Sequence, residues 1–307
     1  MPGTRFRFSG VSADQPLRVK IFGLGSAGCN IIEGVPFPTV AFSTSSADLA
    51  RSHAERKLQI GPERLAGLSN TQHHVLKHLP SIAGHEVVDV LNNTDLVFLM
   101  CGLGGLSGSL GTKLFSSVAE AKGISDVVLA TTPFSAESIR RRELAAKMMK
   151  ELLTTTSMCV EFDNDKLSTL APNLPISRAF SILNGIMLRP VIDVTSVMSR
   201  IDVGVLRQAL GDSNYGRFGL GLGRGDERVQ RAVDEAFGSP WFDYPLSEVR
   251  AAIAVYSSRD PWDKELERIL TTLEGKLPSA RIAFGSYKDE SLNDRIRLSL
   301  LLCTDRS

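Results

Sequence analysis

The sequence predicts an α/β protein with a doubly wound parallel sheet in its first half and a smaller α+β domain at its C-terminal end. Short apolar runs alternate with amphipathic stretches through the first half, which is typical of parallel strands covered by helices on both faces. A long apolar helical stretch follows, and the last part has strands joined by one long helix. The 307 residues are 43% hydrophobic and 22% charged, so a large core in one or two domains is expected.

Five apolar, mostly β-branched runs predict the strands of the first half. They are Val19–Phe22, Thr39–Phe42, Leu96–Leu99, Val127–Ala130 and Met158–Val160. Two helices are predicted between them, one at Leu114–Lys122 and one at Ala136–Leu153, with Ser135 as the N-cap of the second.

From Ile176 to about Val197 the pattern is helical and apolar on most sides, with Pro190 expected to interrupt it. A helix without a wide polar face is expected to lie between two packed bodies. We therefore predict a first domain at residues 1–177, a central helix and interdomain loop at 178–202, and a smaller domain at 203–307.

The smaller domain is predicted to contain three helices, three strands and one glycine-rich run. The helices are Val205–Leu210, Asp226–Phe237 and Asp263–Leu277, the strands are Ala252–Tyr256, Arg281–Phe284 and Ile296–Leu302, and the glycine-rich run is Gly216–Gly225.

Charge and cysteine usage exclude several classes of protein. With 35 basic and 34 acidic residues the net charge is +1, and no basic stripe predicts nucleic-acid binding. The four cysteines are far apart in the sequence, so reduced, buried thiols are expected at Cys29, Cys101, Cys159 and Cys303. His74 and His78 have the i, i+4 spacing of metal ligands, but Pro80 interrupts their helix and no cysteine lies nearby. We predict that His73, His74, His78 and His85 lie on the surface and bind no metal.

No segment predicts a transmembrane span or a secretory signal. The longest uncharged stretch has seventeen residues, Leu96–Thr112, and is rich in Gly and Ser. The N-terminal residues lack an apolar core of the signal-peptide type. A cytoplasmic location is therefore expected.

Two glycine-rich loops each follow a predicted strand and precede a helix. The first, Gly23–Gly28, has the G-x-G-x-x-G pattern, and the second is Gly102–Ser109. Such turns present backbone N–H groups to phosphate at a helix N-terminus, and the hydroxyls of Ser107 and Ser109 add donors. Two loops on neighbouring strands therefore suit one polyphosphate, although glycines also occur where a tight turn alone requires them.

Two enzyme classes are disfavoured. A dinucleotide-dependent Rossmann enzyme places an acid at the end of the second strand, where this chain has Ser43–Ser46. The P-loop pattern G-x-x-x-x-G-K-[ST] does not occur in the sequence.

At these two loops the chain resembles the FtsZ and tubulin family of filament-forming GTPases. Gly23–Asn30 resembles the family's first phosphate loop, and Gly102–Ser109 resembles its Gly-Gly-Gly-Thr-Gly-Thr-Gly signature. Further similar segments follow in the family's order, at Thr132–Phe134 with Glu137 and Arg141, at Asn164–Leu167, at Ala179–Phe180 with Asn184, and at Gly225–Pro240. The likeness covers Arg18 to Cys303, almost the whole chain.

The resemblance implies a tubulin/FtsZ-like fold, GTP or GDP as ligand with Mg²⁺ accompanying GTP, and head-to-tail self-association into filaments. In the family, the Glu and Arg contact the ribose, and at the start of the central helix the Phe stacks on guanine and an Asn or Asp, here Asn184, binds the base edge. The implied nucleotide-binding residues are Gly25, Ser26, Ala27, Gly28, Cys29, Asn30, Ser43, Gly104, Gly105, Leu106, Ser107, Gly108, Ser109, Glu137, Arg141, Asn164, Phe180 and Asn184.

The loops depart from the family pattern at several glycines. Leu106 and Leu110 replace glycines of the signature, and Ser26, Ala27 and Cys29 replace glycines of the first loop. If these positions need a positive φ, each replacement costs on the order of 1 kcal/mol, and a leucine side chain can obstruct a phosphate. Residues 61–70 match the family's γ-phosphate-sensing loop poorly.

The segment needed for hydrolysis also departs from the family pattern. FtsZ inserts Asn-x-Asp-x-x-Asp into the nucleotide site of the next subunit, and the best match here is Arg200–Val205. Asp202 keeps the first acid and is the candidate catalytic residue, with Arg200 as a candidate charge donor, whereas Val205 replaces the second acid. Because Val can neither hold a water nor offset charge, slow or absent GTPase activity is predicted. An active division GTPase with its acids in another register, and a dinucleotide-dependent enzyme, remain alternatives. Because the sequence ends just after its last strand, no C-terminal tether peptide of the FtsZ type is expected.

Overall fold

The computed structural model describes residues 3–69, 85–170 and 172–305. The chain divides into two compact units. One comprises Arg18–Leu188, and the other comprises Met1–Leu17 together with Arg189–Ser307. The N-terminal strand β1 (Arg5–Arg7) belongs to the second of these units. The division of the chain at residues 177 and 202 stays a prediction.

The unit Arg18–Leu188 contains six parallel strands. They are β2 (Val19–Leu24), β3 (Thr39–Ser43), β4 (Arg56–Gln59), β5 (Leu96–Gly102), β6 (Ser125–Thr132) and β7 (Met158–Asp163). Their order in the sheet is β7-β6-β5-β2-β3-β4, and every neighbouring pair is parallel. The predicted doubly wound sheet is confirmed. The strand order reverses between β2 and β5, and ligands of such sheets bind at this switch point, outside the carboxyl ends of the strands.

Eight helices of the described residues begin in this unit. They are α1 (Gly25–Ile31), α2 (Ser46–Arg51), α3 (Pro62–Ser69), α4 (His85–Asp89), α5 (Leu106–Ala121), α6 (Ile139–Leu152), α7 (Leu167–Leu170) and α8 (Ile176–Val197). A short 3₁₀ turn at Asn164–Lys166 follows β7.

An aromatic cluster fixes α5 on the sheet. Phe115 of α5 lies 4.9 Å from Phe22 of β2 and 5.2 Å from Phe42 of β3, measured between ring centroids, and all three rings are fully buried. Gly111 permits this approach, because a Cβ there would lie 2.6 Å from the Phe42 ring. The packing places the N-terminus of α5 beside the loop that follows β2.

Two helix starts in the unit Arg18–Leu188, and one predicted interruption, differ from the sequence prediction. The helix predicted at Leu114 begins at Leu106. The helix predicted to begin at Ala136 begins at Ile139, with Ser138 rather than Ser135 at the N-cap. Ser135 is held in a turn instead, since its backbone N–H donates to the Asp165 carboxylate at 3.0 Å. Helix α8 continues through Pro190, which the sequence predicted to interrupt it.

The second unit contains a mixed sheet. Its further strands are β8 (Tyr215–Gly223), β9 (Val249–Ser258), β10 (Arg281–Lys288) and β11 (Ile296–Thr304). Strands β1, β10 and β9 are parallel neighbours, and β11 is antiparallel to both β9 and β8. Its helices are α9 (Asp202–Leu210), α10 (Arg228–Phe237) and α11 (Asp263–Lys276), with 3₁₀ turns at Leu246–Glu248 and Glu290–Leu292. This is the α+β arrangement that the sequence predicted.

Among the described residues, α8 is the one helix that is long and apolar enough, by length and composition alone, to cross a membrane. Leu183, Met187 and Val191 are buried along it, which is also typical of a core helix.

All four cysteines are buried and free, as predicted. Burial raises the pKa of the Cys29 thiol to about 11, so that thiol is protonated at neutral pH. His85 of the predicted histidine cluster is exposed, and His73, His74 and His78 lie outside the described residues.

Candidate functional site

A cavity of about 520 Å³ opens at the carboxyl ends of β2, β5 and β6, beside the switch point of the parallel sheet. Eleven of the predicted nucleotide-binding residues line it. They are Gly25, Ser26, Ala27, Gly105, Leu106, Ser107, Gly108, Glu137, Arg141, Asn164 and Phe180. Residues from five separate segments of the sequence therefore meet at one site.

The two glycine loops pack backbone against backbone at this cavity. Gly25 has φ +73°, and a Cβ there would lie 2.8 Å from the backbone nitrogen of Gly108. A Cβ on Gly108 would in turn overlap the carbonyl oxygen of Gly102. Gly104, with φ +91°, lies against the carbonyl of Arg141. The loops need glycine here because no side chain fits between the two backbones.

The N-terminus of α5 opens into this cavity without a cap. Its N-cap residue is Gly105, which makes no side-chain hydrogen bond to the helix, and its first turn contains no acidic residue. Leu106, Ser107 and Gly108 of that turn line the cavity. The first N–H groups of a helix lack partners within it and carry partial positive charge, so this end of α5 suits an anion.

The predicted backbone strain at the replaced glycines is wrong. Ser26, Ala27, Cys29, Leu106 and Leu110 all have negative φ, because they lie within α1 and α5. The expectation that a leucine side chain can obstruct a phosphate holds only for Leu106, which is 39% exposed and lines the cavity. The side chain of Leu110 is buried in the core and does not reach the lining.

Aromatic rings and one unpaired amide oxygen form another part of the cavity. The Phe134 and Phe180 rings lie 5.9 Å apart in edge contact. Asn164 is 7% exposed, and its Oδ1 atom has no hydrogen-bond partner among the described residues. A buried acceptor without a donor is costly, so this oxygen suits a ligand that brings an N–H or O–H group.

Glu137 and Arg141 form an ion pair within this lining. The Arg141 guanidinium donates to Glu137 at 2.5 Å, and the other carboxylate oxygen of Glu137 accepts from the backbone N–H of Phe134 at 3.0 Å. This pair holds the start of α6 and the Phe134 segment together at the cavity.

Seven predicted residues support the cavity or lie near it without lining it. They are Gly28, Cys29, Asn30, Ser43, Gly104, Ser109 and Asn184. The buried hydroxyl of Ser109 accepts from the backbone N–H of Gly104 at 3.0 Å and so stabilises the second loop. Gly28 allows α1 to lie directly on the backbone of Met100. Asn30 is exposed, and Asn184 is half-buried one turn beyond Phe180.

Sequence reasoning missed Asp48, which also lines the cavity. Its Oδ2 atom accepts from the Ser43 hydroxyl at 3.1 Å, and its backbone N–H donates to the Ser45 hydroxyl that caps α2. The Ser-x-x-Asp pattern at Ser45–Asp48 is a capping signal, which places a helix start and its first-turn acid beside the end of β3. Leu24, Gly102, Leu103, Thr131, Pro133 and Phe134 complete the lining.

Asp202, the predicted catalytic residue, belongs to the other unit and is 2% exposed. Its carboxylate accepts four hydrogen bonds, two from the backbone and hydroxyl of Ser9 at 3.0 and 2.6 Å, and two from those of Ser199 at 2.7 and 3.0 Å. These four hydrogen bonds, one to Oδ1 and three to Oδ2, already engage the carboxylate within the fold. Val205 is partly exposed one turn further along α9.

No metal cluster is present in the part of the chain that the structure describes, where no three His, Cys, Asp or Glu side chains are placed to hold an ion. The hard oxygen ligands in the lining include the Asp48 and Glu137 carboxylates and the hydroxyls of Ser26 and Ser107. This donor set fits Mg²⁺ only together with oxygens from a ligand such as a phosphate.

Comparisons with known proteins agree with this geometry. A family model described as the Tubulin/FtsZ family, GTPase domain, matches residues 35–172. The chain is 31% identical over 306 residues to the cell division protein FtsZ of Methanothermobacter thermautotrophicus, which covers 94% of this chain and 80% of the relative. It is 28% identical over 298 residues to FtsZ 1 of Thermococcus kodakarensis, with coverage of 93% and 80%.

Solved structures show the same fold. An empty FtsZ dimer of Methanocaldococcus jannaschii superposes with a TM-score of 0.81 at 23% identity, over 95% of this chain and 89% of that one. CetZ2 from Haloferax volcanii, solved as a GTPγS-bound protofilament, superposes with a TM-score of 0.75 at 20% identity, over 95% and 94%. With two glycine loops, an aromatic pair and an unpaired asparagine at the switch point of its sheet, this chain belongs to the tubulin/FtsZ family.

Proposed function

We propose that the protein is an FtsZ-like cytoskeletal protein that binds guanine nucleotide in the cavity and assembles head to tail into filaments, with weak or absent GTP hydrolysis. The observation that carries this proposal is the convergence of both glycine loops, the Phe134–Phe180 pair and the unpaired Asn164 oxygen on one cavity. We further propose that the protein works in the cytoplasm.

Different parts of the cavity lining suit the phosphates, the ribose and the base of a nucleotide. The uncapped N-terminus of α5 offers backbone N–H groups to the phosphates. The Glu137–Arg141 pair offers charged groups to the ribose. Phe180 offers a ring face or edge to the purine, and the Asn164 oxygen is an acceptor for the N–H groups on the edge of guanine. Mg²⁺ would enter with GTP and offset the charge of the phosphates.

Filament formation is supported by the relatives. A solved neighbour, CetZ2, is described as a protofilament, and a head-to-tail contact that does not close produces an open filament. Electron microscopy of the purified protein with GTP, with GDP and without nucleotide tests this part of the proposal. Filaments should appear with at least one of the two nucleotides.

Thermal unfolding in the presence of GTP, GDP, ATP or NAD tests which of these nucleotides the protein binds. A guanine nucleotide at 100 times its Kd should stabilise the protein by about 2.7 kcal/mol, and ATP and NAD should do less at the same concentration. Phe180→Ala should lose most of this shift, whereas Ile182→Ala should keep it, because Ile182 is exposed on the same helix and does not line the cavity. Stabilisation by NAD alone would favour the dinucleotide-dependent alternative.

Hydrolysis is expected to be slow because Val205 stands where the family has an acid and the Asp202 carboxylate is already engaged by four hydrogen-bond donors of the fold. Val205→Asp should therefore raise the steady-state rate of phosphate release by about a hundredfold under conditions that allow assembly. Val203→Asp is the matched control, since it adds the same charge to the same turn of α9. Equal rates in the wild type and in Val205→Asp would contradict the proposal and favour an active GTPase.

A further inference from the structure

Contacts within the cavity place its aromatic residues at one end. Phe134 and Phe180 touch there, and the bond from Ser135 to Asp165 brings the neighbouring segment with Asn164 to the same part of the lining. Glu137 comes next, because its carboxylate accepts from the backbone N–H of Phe134 and pairs with Arg141. The carbonyl of Arg141 lies against Gly104 of the second glycine loop. The base and sugar of the proposed nucleotide therefore fit at this end, and its phosphates lie along the loops.

Asp48 lies at the other end. Ser107, in the first turn of α5, contacts the hydroxyl of Thr44 at 2.8 Å. The neighbouring residue, Ser43, donates its hydroxyl to the Asp48 carboxylate at 3.1 Å. These two contacts join Asp48 to the first turn of α5, so the last phosphate of a chain that lies along this turn comes close to the carboxylate.

The lining carries little positive charge. Its charged side chains among the described residues are Asp48, Glu137 and Arg141, and the only cation of the three is bonded to Glu137. The Asp48 carboxylate pairs with Arg51 at 2.9 Å, but the Arg51 side chain is 74% exposed and does not line the cavity. Water screens such an exposed pair, so the carboxylate keeps most of its effect on a ligand.

Given the nucleotide site proposed above, we infer that Asp48 is a specificity-determining residue that makes the cavity favour nucleoside diphosphates over metal-free triphosphates. A terminal phosphate adds negative charge at the end where this carboxylate already lies. For two like charges a few ångströms apart that water partly screens, the repulsion corresponds to a preference on the order of tenfold. Mg²⁺ bound with the triphosphate would offset the charge of the phosphates, so the preference should shrink when Mg²⁺ is present.

Calorimetric titration with GDP and GTP tests the inference. With EDTA present, the wild type should bind GDP about tenfold more tightly than GTP, and Mg²⁺ should reduce this ratio. Asp48→Asn removes the charge at nearly constant shape and should bring the ratio in EDTA close to one. Arg51→Ala removes an exposed counter-charge that water already screens, so it should change the ratio by less than about twofold. Glu55→Gln is the matched control, because it removes an exposed negative charge outside the lining and should leave the ratio unchanged.

The possible results separate this inference from the proposed function. A wild type that binds GDP and GTP equally in EDTA, or an Asp48→Asn variant that keeps the wild-type ratio, overturns the inference and leaves guanine-nucleotide binding intact. A wild type that binds neither nucleotide overturns both. If Asp48→Asn fails to fold, the wild-type ratio in EDTA and with Mg²⁺ still decides the question, and a ratio that Mg²⁺ does not reduce overturns the inference.

Discussion

Replacing Asp202 by Ala is expected to destabilise the protein by about 2–4 kcal/mol, because four hydrogen-bond donors of Ser9 and Ser199 would lose their acceptor in a buried place. The carboxylate connects the segment after β1 to the start of α9, so its loss also loosens the N-terminal residues. Chemical denaturation measures the change in the free energy of unfolding when a spectroscopic signal of the whole chain is monitored.

Two further variants serve as controls for the Asp202→Ala measurement. Asp212→Ala removes an exposed carboxylate just after α9 and should change the free energy of unfolding by less than about 0.5 kcal/mol. Ser9→Ala removes one of the four donors and should cost about 1 kcal/mol. If Asp202→Ala instead unfolds like the wild type but releases phosphate more slowly, the residue is catalytic, as the family resemblance implies. A stability loss without a change in phosphate release would assign it to the fold.

The strands of the parallel sheet were predictable because each is a short apolar run that is buried on both faces. All five predicted runs lie within observed strands, and the structure extends each by one to four residues. The ends of α8 were also predicted correctly, at Ile176 and Val197. Strand β4 was missed because only Leu58 of its four residues is buried, so no apolar run marks it.

Strand β8 shows why local sequence preferences can mislead. Its glycines are poor strand formers, and the sequence indicates only a glycine-rich run at Gly216–Gly225. The reason for the glycines is tertiary: a Cβ on Gly221 would overlap the backbone of Ala232, since α10 lies directly on this strand. The distance between a helix and a sheet cannot be deduced from either segment alone.

The site was predictable where its residues form contiguous motifs, as in both glycine loops. The position of Asp48 was not predictable, because Asp48 belongs to α2. The approach of α2 to the cavity depends on the contact of Thr44 with Ser107. The effect of Leu110 was also mispredicted, since the sequence does not show which face of α5 meets the core. Motifs therefore locate the phosphate-binding backbone, whereas the charge at its far end requires the folded chain.

Gly108→Ala is expected to destabilise the protein by about 2–4 kcal/mol and to weaken nucleotide binding by more than tenfold. The added Cβ would overlap the carbonyl oxygen of Gly102, and that backbone cannot move freely because Gly25 lies against the nitrogen of Gly108. Displacing one loop therefore displaces the other. Thermal unfolding and titration with GDP measure the two effects.

Gly105→Ala is the matched control for folding stability. Gly105 lies three residues earlier in the same loop, and a Cβ there would have no atom within 4 Å. Its backbone is extended, with φ −102° and ψ 152°, which alanine adopts without strain. Loss of glycine at this N-cap should cost less than about 1 kcal/mol. If both variants unfold alike, the close packing of the two loops does not limit this site. If only Gly108→Ala is destabilised, backbone contact between the loops, rather than glycine flexibility, holds the phosphate-binding backbone in place.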